Sequence, residues 1–162
     1  MKNTFFYLIF LGIVLWNCGS EEAKLQDYDL LSYGVPMSIR VPVDSPSVKT
    51  SDGFLGEKEV SVKAGKGYDL LIMYAPASTS DLAQLKAEQV ANVKDIPTFS
   101  KIVEEEEAGF VYESKIDSTT SFYGFRYIRL QGDQRYLFQS GLIGTFSLEE
   151  VNKMYASVKP QE

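Results

Sequence analysis

Few residues of this 162-residue chain can carry out catalytic chemistry. The sequence contains no histidine and one cysteine, Cys18. The lack of imidazole excludes Ser-His-Asp and Cys-His nucleophile systems, a histidine general base near neutral pH, and histidine-containing zinc or copper sites. Hydrolysis by paired carboxylates, a Ser-Lys arrangement and metal binding by oxygen ligands remain. Since no two acidic residues are spaced in a way that indicates such a pair, the sequence predicts no catalytic residue and no cofactor.

Two features raise the question of a binding site. Residues 104–107 are four consecutive glutamates, a composition that suggests calcium. Because alternate side chains of a strand point to opposite faces, we predict an exposed hairpin end rather than a metal site. Arg126 interrupts an otherwise apolar face of a predicted strand. A snorkelling or paired Arg at the sheet margin is favoured there over ligand binding, and the ligand-binding residues stay unknown.

The N-terminus has the features of a secretory leader. Lys2 precedes an apolar run at residues 5–16, about twelve residues long, whereas a membrane-spanning helix needs roughly twenty. We therefore predict that residues 1–17 are a cleaved signal peptide.

The end of this run resembles the lipobox of bacterial lipoproteins, in the sequence Leu15-Trp16-Asn17-Cys18-Gly19. In that family the signal peptidase cuts before the cysteine, whose sulfur carries a diacylglycerol. Leu15, Cys18 and Gly19 match the family, and Asn17 stands where Gly, Ala or Ser is usual. The resemblance implies lipidation at Cys18 and attachment to the outer membrane. Because Cys18 is the sole cysteine, no intramolecular disulfide can form.

The residues after the cysteine, Ser20, Glu21 and Glu22, resemble the surface-export signal of Bacteroidetes lipoproteins. A simple polar tether is the alternative, so the sequence leaves both the periplasmic face and the cell surface open. The formal net charge of −6 and the lack of a Lys/Arg cluster disfavour nucleic acid as a partner.

The remaining sequence predicts one α+β domain, with a largely antiparallel sheet covered by two helices. We expect a tether at residues 18–27, the domain at 28–158 and a tail at 159–162. Strands are predicted at 37–43, 59–63, 68–74, 101–106, 110–116, 121–130 and 134–140, and a long loop at 44–56. One helix is predicted after an N-cap at Ser78, with Leu82, Ala83, Ala87, Val90 and Val93 on one side. The other follows a Ser147-x-x-Glu150 capping box.

This order of elements resembles the PsbP-like fold, which also occurs in small bacterial envelope lipoproteins. The resemblance depends on the element order and on the aromatic hairpin at residues 122–138, and it implies accessory or binding proteins rather than enzymes. The leading hypothesis is therefore a lipid-anchored, non-enzymatic protein that binds an envelope protein. The alternatives are a small-molecule binder, for a lipid or glycan, and a carboxylate-dependent hydrolase.

Overall fold

The computed structural model describes residues 25–43, 45–53 and 56–160. The predicted signal peptide, Cys18 and the proposed export signal lie outside the described residues. The described chain contains a short 3-10 helix, Leu31–Tyr33, together with these strands and helices: β1 (Gln26–Asp29), β2 (Ser38–Val41), β3 (Ser47–Asp52), β4 (Lys58–Lys63), β5 (Asp69–Pro76), α1 (Leu82–Lys94), β6 (Phe99–Glu105), β7 (Gly109–Lys115), β8 (Ser121–Gln131), β9 (Gln134–Ser140) and α2 (Leu148–Val158).

Seven strands form one antiparallel sheet in the order β3-β4-β5-β9-β8-β7-β6, and β1 pairs only with β2. The β8–β9 hairpin occupies the middle of the sheet, as its apolar residues on both faces predict. The predicted α+β class with a largely antiparallel sheet is confirmed. Neither α-helix of the described residues is long and apolar enough to cross a membrane.

One face of the sheet is covered by α2 and by the β1–β2 hairpin. The predicted capping box begins α2: the Ser147 side chain accepts from the Glu150 backbone N–H, and the Glu150 carboxylate accepts from the Ser147 backbone N–H. These bonds satisfy helix N–H groups that have no partner inside the helix. The main core lies beneath this helix and includes Ile72, Val111, Phe125, Phe138, Val151, Met154, Tyr155 and Val158.

The opposite face is covered by α1 only in part, over β8 and β6. The N-cap is Asp81, whose carboxylate accepts from the Gln84 backbone N–H at 3.1 Å, and not Ser78 as predicted. Thr79 instead accepts from the Asp81 N–H, which ends the turn before the helix. The buried side of α1 is formed by Leu85, Gln89 and Val93. The predicted stripe was wrong at Ala83 and Ala87, which are exposed.

Two strands were not predicted. β1 begins at Gln26, inside the predicted tether, and β3 occupies part of the predicted loop at 44–56. β3 has only Val48 as an apolar residue, and it is a strand because it pairs with β4 from Ser47 to Asp52. Backbone pairing with a well-formed neighbour needs no apolar alternation, so sequence periodicity does not reveal such a strand.

The two edges of the sheet differ. β3 pairs with β4 in an unbroken register over six residues. β6 pairs with β7 with two register shifts, between Phe99 and Lys101 and between Ile102 and Glu104. Such irregularities bend and twist a strand and interrupt its row of hydrogen-bonding groups. The β3 edge is therefore regular, and the β6 edge is not.

Candidate ligand-binding groove

Arg126 lies on β8, inside the sheet and on the face that α1 covers in part. Its register partners are Gln139 on β9 and Phe110 on β7, and Gln139 in turn pairs with Leu71 on β5. These residues form one row across the sheet. Residues at the centre of a sheet are normally apolar, so a guanidinium here requires an explanation.

Among the described residues, no carboxylate forms an ion pair with Arg126. One guanidinium N–H donates to the Phe125 carbonyl oxygen at 3.2 Å, and the group lies 5.8 Å from the centre of the Tyr112 ring. Burial lowers the pKa of Arg126, and the nearby Tyr112 hydroxyl raises it in part. The expectation was a snorkelling or paired Arg at the sheet margin. The position is wrong, because β8 is an inner strand, and no carboxylate of the described residues pairs with Arg126.

The position of Tyr112 depends on Gly124, its register partner on β8. A Cβ on Gly124 would lie 2.5 Å from the Tyr112 hydroxyl oxygen, so the ring lies across the glycine backbone. The ring thereby covers one side of the Arg126 side chain. Tyr112 is itself buried beside Val93 of α1 and Phe110.

The open side of Arg126 faces a groove of about 370 Å³ between α1 and the uncovered part of the sheet. Its lining combines three kinds of group. The apolar residues are Leu71 and Met73 of β5, Leu137 of β9 and Leu142 of the connection after β9. The amides are Gln89 and Asn92 of α1 and Gln139 of β9. The cations are Arg126 of β8 and Arg135 of β9, and Glu57 and Glu59 lie at one margin.

Arg135 is the second cation of the groove, and it is paired. Its guanidinium forms a 2.5 Å ion pair with Glu57, in which both side chains are largely buried. Its Nε is buried and has no hydrogen-bond partner within the described residues. Glu57 and Glu59 lie two residues apart along one wall and do not face each other across the groove. Among the residues that the structure describes, Arg126 is therefore the guanidinium of the groove that has no carboxylate partner.

A second depression, of about 400 Å³, lies between the 3-10 helix and strands β3 to β5. Its cation, Lys58, is exposed and forms an ion pair with Asp52. Within the described residues this depression therefore offers no buried cation that lacks a carboxylate partner. The Arg126 groove is therefore the stronger candidate.

Two carboxylates of the glutamate run form ion pairs with lysines of different elements. Glu105 pairs with Lys86 of α1 at 3.1 Å, whereas Glu106 pairs with Lys159, beyond α2, at 2.6 Å. Neighbouring carboxylates thus reach helices on opposite faces of the sheet. No group of three or more acidic residues within the described chain is arranged to hold a metal ion.

Sequence reasoning singled out Arg126 but not the residues that surround it. Arg135, Gln89 and Gln139 come from separate elements, which only the strand order β5-β9-β8 brings together. One signal was present in the sequence, namely a glutamine at an inward position of α1 where an apolar residue is expected.

Comparisons of the chain with protein-family models, with curated proteins and with solved structures found no match. The groove is therefore interpreted from its own residues.

Proposed function

We propose that this protein is a lipid-anchored envelope protein whose domain binds a small acidic molecule with an apolar body, without catalysing a reaction. The observation that carries the proposal is the partly buried side chain of Arg126, which lines the groove and has no carboxylate partner among the described residues. This is the small-molecule alternative of the sequence analysis, which the groove supports better than the leading hypothesis of a protein partner.

The lining of the groove indicates the class of ligand. A carboxylate or phosphate group would accept hydrogen bonds from Arg126, whose planar guanidinium suits such oxygens. Gln139 and Gln89 offer amide groups on either side for further polar atoms. The apolar residues, Leu71 and Leu137 among them, suit an aliphatic body. Glu57 and Glu59 disfavour a second negative group at that margin.

The test is a titration with octanoate, followed by shifts of backbone amide signals in NMR spectra. Hydrogen bonds to a charged group contribute about 1.5–3 kcal/mol, so Arg126→Met should weaken binding by about 10- to 100-fold. Arg129→Met is the matched control, because Arg129 is on the same strand but faces the other side, with its guanidinium 3.5 Å from the Met37 sulfur. Equal weakening by both substitutions, or no binding of octanoate or inorganic phosphate, would contradict the proposal.

The anchor is supported by the sequence alone, through Leu15, Cys18 and Gly19. Under this proposal residues 1–17 are removed, and lipid on Cys18 holds the domain on the outer membrane. A PsbP-like arrangement of the domain belongs to the same proposal. Export to the cell surface through Ser20, Glu21 and Glu22 and an anchor on the periplasmic face are its two alternatives. Cys18→Ser should release the domain from membranes or leave uncleaved precursor. Protease treatment of intact cells then separates the cell surface from the periplasmic face.

Binding of an envelope protein is our second candidate. The regular β3 edge favours it, because an extended segment of a partner can add to an exposed strand through backbone hydrogen bonds. Pro in place of Thr50 or Lys49 removes one backbone N–H from β3. At one of these two positions the N–H of the wild-type residue points away from β4. Proline at that position should reduce capture of a partner without changing the stability of the domain. Repeated capture from solubilised membranes that returns no partner would count against this candidate.

A further inference from the structure

The connection between β9 and α2 exposes two large apolar side chains. Leu142 is 76% exposed and Ile143 is 84% exposed. They belong to an uncharged loop, Gly141-Leu142-Ile143-Gly144-Thr145. The base of this loop is fixed, since the Gly141 backbone N–H donates to the Asp69 carbonyl oxygen at 2.7 Å. A fixed loop that holds adjacent apolar side chains in water is typical of a surface that becomes covered.

A third exposed apolar residue lies at the same end of the sheet. Ile116, which is 62% exposed, follows β7 in the turn to β8. The β9–α2 connection runs beside the start of β8, where Phe146 forms a bridge with Tyr123. We call this end, with loop 141–145, the β4–β5 turn and the β7–β8 turn, the apolar end of the sheet, after its three exposed apolar residues. The two turns also carry the exposed charges of Lys66 and Asp117.

The described chain also begins at the apolar end. Gln26 pairs with Val41, and Val43 lies beside the β4–β5 turn, where a Cβ on Gly65 would be 3.7 Å from the Val43 side chain. Cys18 precedes Leu25 by seven residues. Since a fully extended chain spans at most about 3.6 Å per residue, Leu25 stays within roughly 25 Å of a lipid on Cys18.

We infer that the apolar end docks on the lipid surface, with Leu142 and Ile143 entering the interfacial region of the bilayer. This inference rests on the lipid anchor of the proposed function. The loop has no charge to desolvate, and the anchor holds the bilayer permanently within reach, so a weak contact acts at high effective concentration. Docking orients the domain so that the margin of the Arg126 groove at Leu142 lies next to the bilayer.

The test uses tryptophan as a depth probe, because Trp16 of the leader is the only tryptophan of the sequence. The full chain is isolated from bacterial membranes and reconstituted in phosphatidylcholine vesicles that contain brominated acyl chains. Ile143→Trp should give blue-shifted emission that the bromine quenches. The matched control is Leu31→Trp, since Leu31 is 63% exposed but lies at the opposite end, beside Gly34 and Tyr74. Leu31→Trp should be quenched severalfold less, and Leu142→Ser added to Ile143→Trp should reduce the quenching.

Failure of docking and failure of the anchor give different results. A free thiol on Cys18, detected by mass spectrometry, would show that the anchor proposal fails. The chain would then be coupled through Cys18 to a maleimide-bearing phospholipid, so that docking can still be measured. Equal, weak quenching at positions 143 and 31, on chains that float with the vesicles, overturns the docking inference whichever way the lipid was attached.

Discussion

The Tyr112 ring lies across the backbone of Gly124, so closely that a Cβ on the glycine would be 2.5 Å from the tyrosine hydroxyl oxygen. The two residues are register partners on β7 and β8. The central carbon of the Arg126 guanidinium lies 5.8 Å from the centre of the same ring. One glycine therefore sets the position of the aromatic side chain beside the proposed anion-binding group.

Gly124→Ala should destabilise the domain by about 1–3 kcal/mol, because the added methyl group overpacks a buried site. It should also weaken octanoate binding, since Tyr112 has to move beside Arg126. Tyr112→Leu combined with Gly124→Ala tests the cause, since the smaller side chain should recover part of the lost stability. Urea unfolding of the wild type, the two single variants and the double variant measures the coupling between the two positions. Simple additivity of the two substitutions would contradict the contact.

Arg126→Met should raise the free energy of unfolding by about 1 kcal/mol while it weakens octanoate binding by about 10- to 100-fold. A half-buried charge without a carboxylate partner costs stability, and proteins commonly retain such groups for function. Thermal and urea unfolding without ligand measure the effect. A large loss of stability would instead show that Arg126 holds the sheet together through Phe125 and Tyr112.

Gly67→Ala should cost more stability than Gly132→Ala, although both glycines have positive φ, +74° and +61°. Both substitutions place an alanine in a strained conformation. Only at Gly67 does the new Cβ also meet a neighbour, the Glu150 carboxylate of the capping box, whereas nothing lies within 4 Å of a Cβ on Gly132. We expect an additional loss of about 1 kcal/mol at Gly67, since loss of a helix cap has that magnitude. Equal losses, measured by urea unfolding, would contradict the contact.

Glu113 should make the stability of the domain depend on pH. The Ser121 hydroxyl donates to its carboxylate at 2.8 Å, and this bond, helped by Lys115, Ser100 and Lys101, lowers the pKa of Glu113 below 4.5. A lowered folded-state pKa contributes stability that is present above the unfolded-state pKa and is lost as the pH falls through the folded-state value. The difference in urea midpoint between the wild type and Glu113→Gln should therefore shrink below about pH 4.5.

Ser121→Ala provides the control for Glu113. It removes the largest cause of the lowered pKa, so the folded-state pKa should rise toward the unfolded-state value. The acid-induced loss of stability should therefore be smaller than in the wild type and be complete at a higher pH. A midpoint difference between wild type and Glu113→Gln that stays constant from pH 6 to pH 3 would contradict the assignment.

The sequence predicted the elements whose signals are local. The Ser147–Glu150 capping box and the aromatic β8–β9 hairpin both reappear in the structure. Each is encoded within a few residues, by a cap or by alternation. The strands β1 and β3 were missed because their pairing partners, and not their own apolar residues, make them strands.

The groove could not be predicted, because it depends on which strands become neighbours. Leu71 on β5 and Arg126 on β8 are separated by a helix and two strands in sequence, and β9 joins them in the sheet. Single-sequence patterns identify strands but do not give their order. Arg126 was noticed as an exception, yet its proposed role depends on the lack of a carboxylate partner among the described residues, which only the packing reveals.

The difference between the two sheet edges also limits how copies of this protein can associate. Strand addition at β6 is hindered by its two register shifts and by its glutamates, while β3 offers a regular edge. Two molecules that met through β3 would use the same surface twice and would leave no further regular edge of this sheet for a third. Such an isologous pair is closed, so crowding on a membrane would lead to dimers and not to growing filaments.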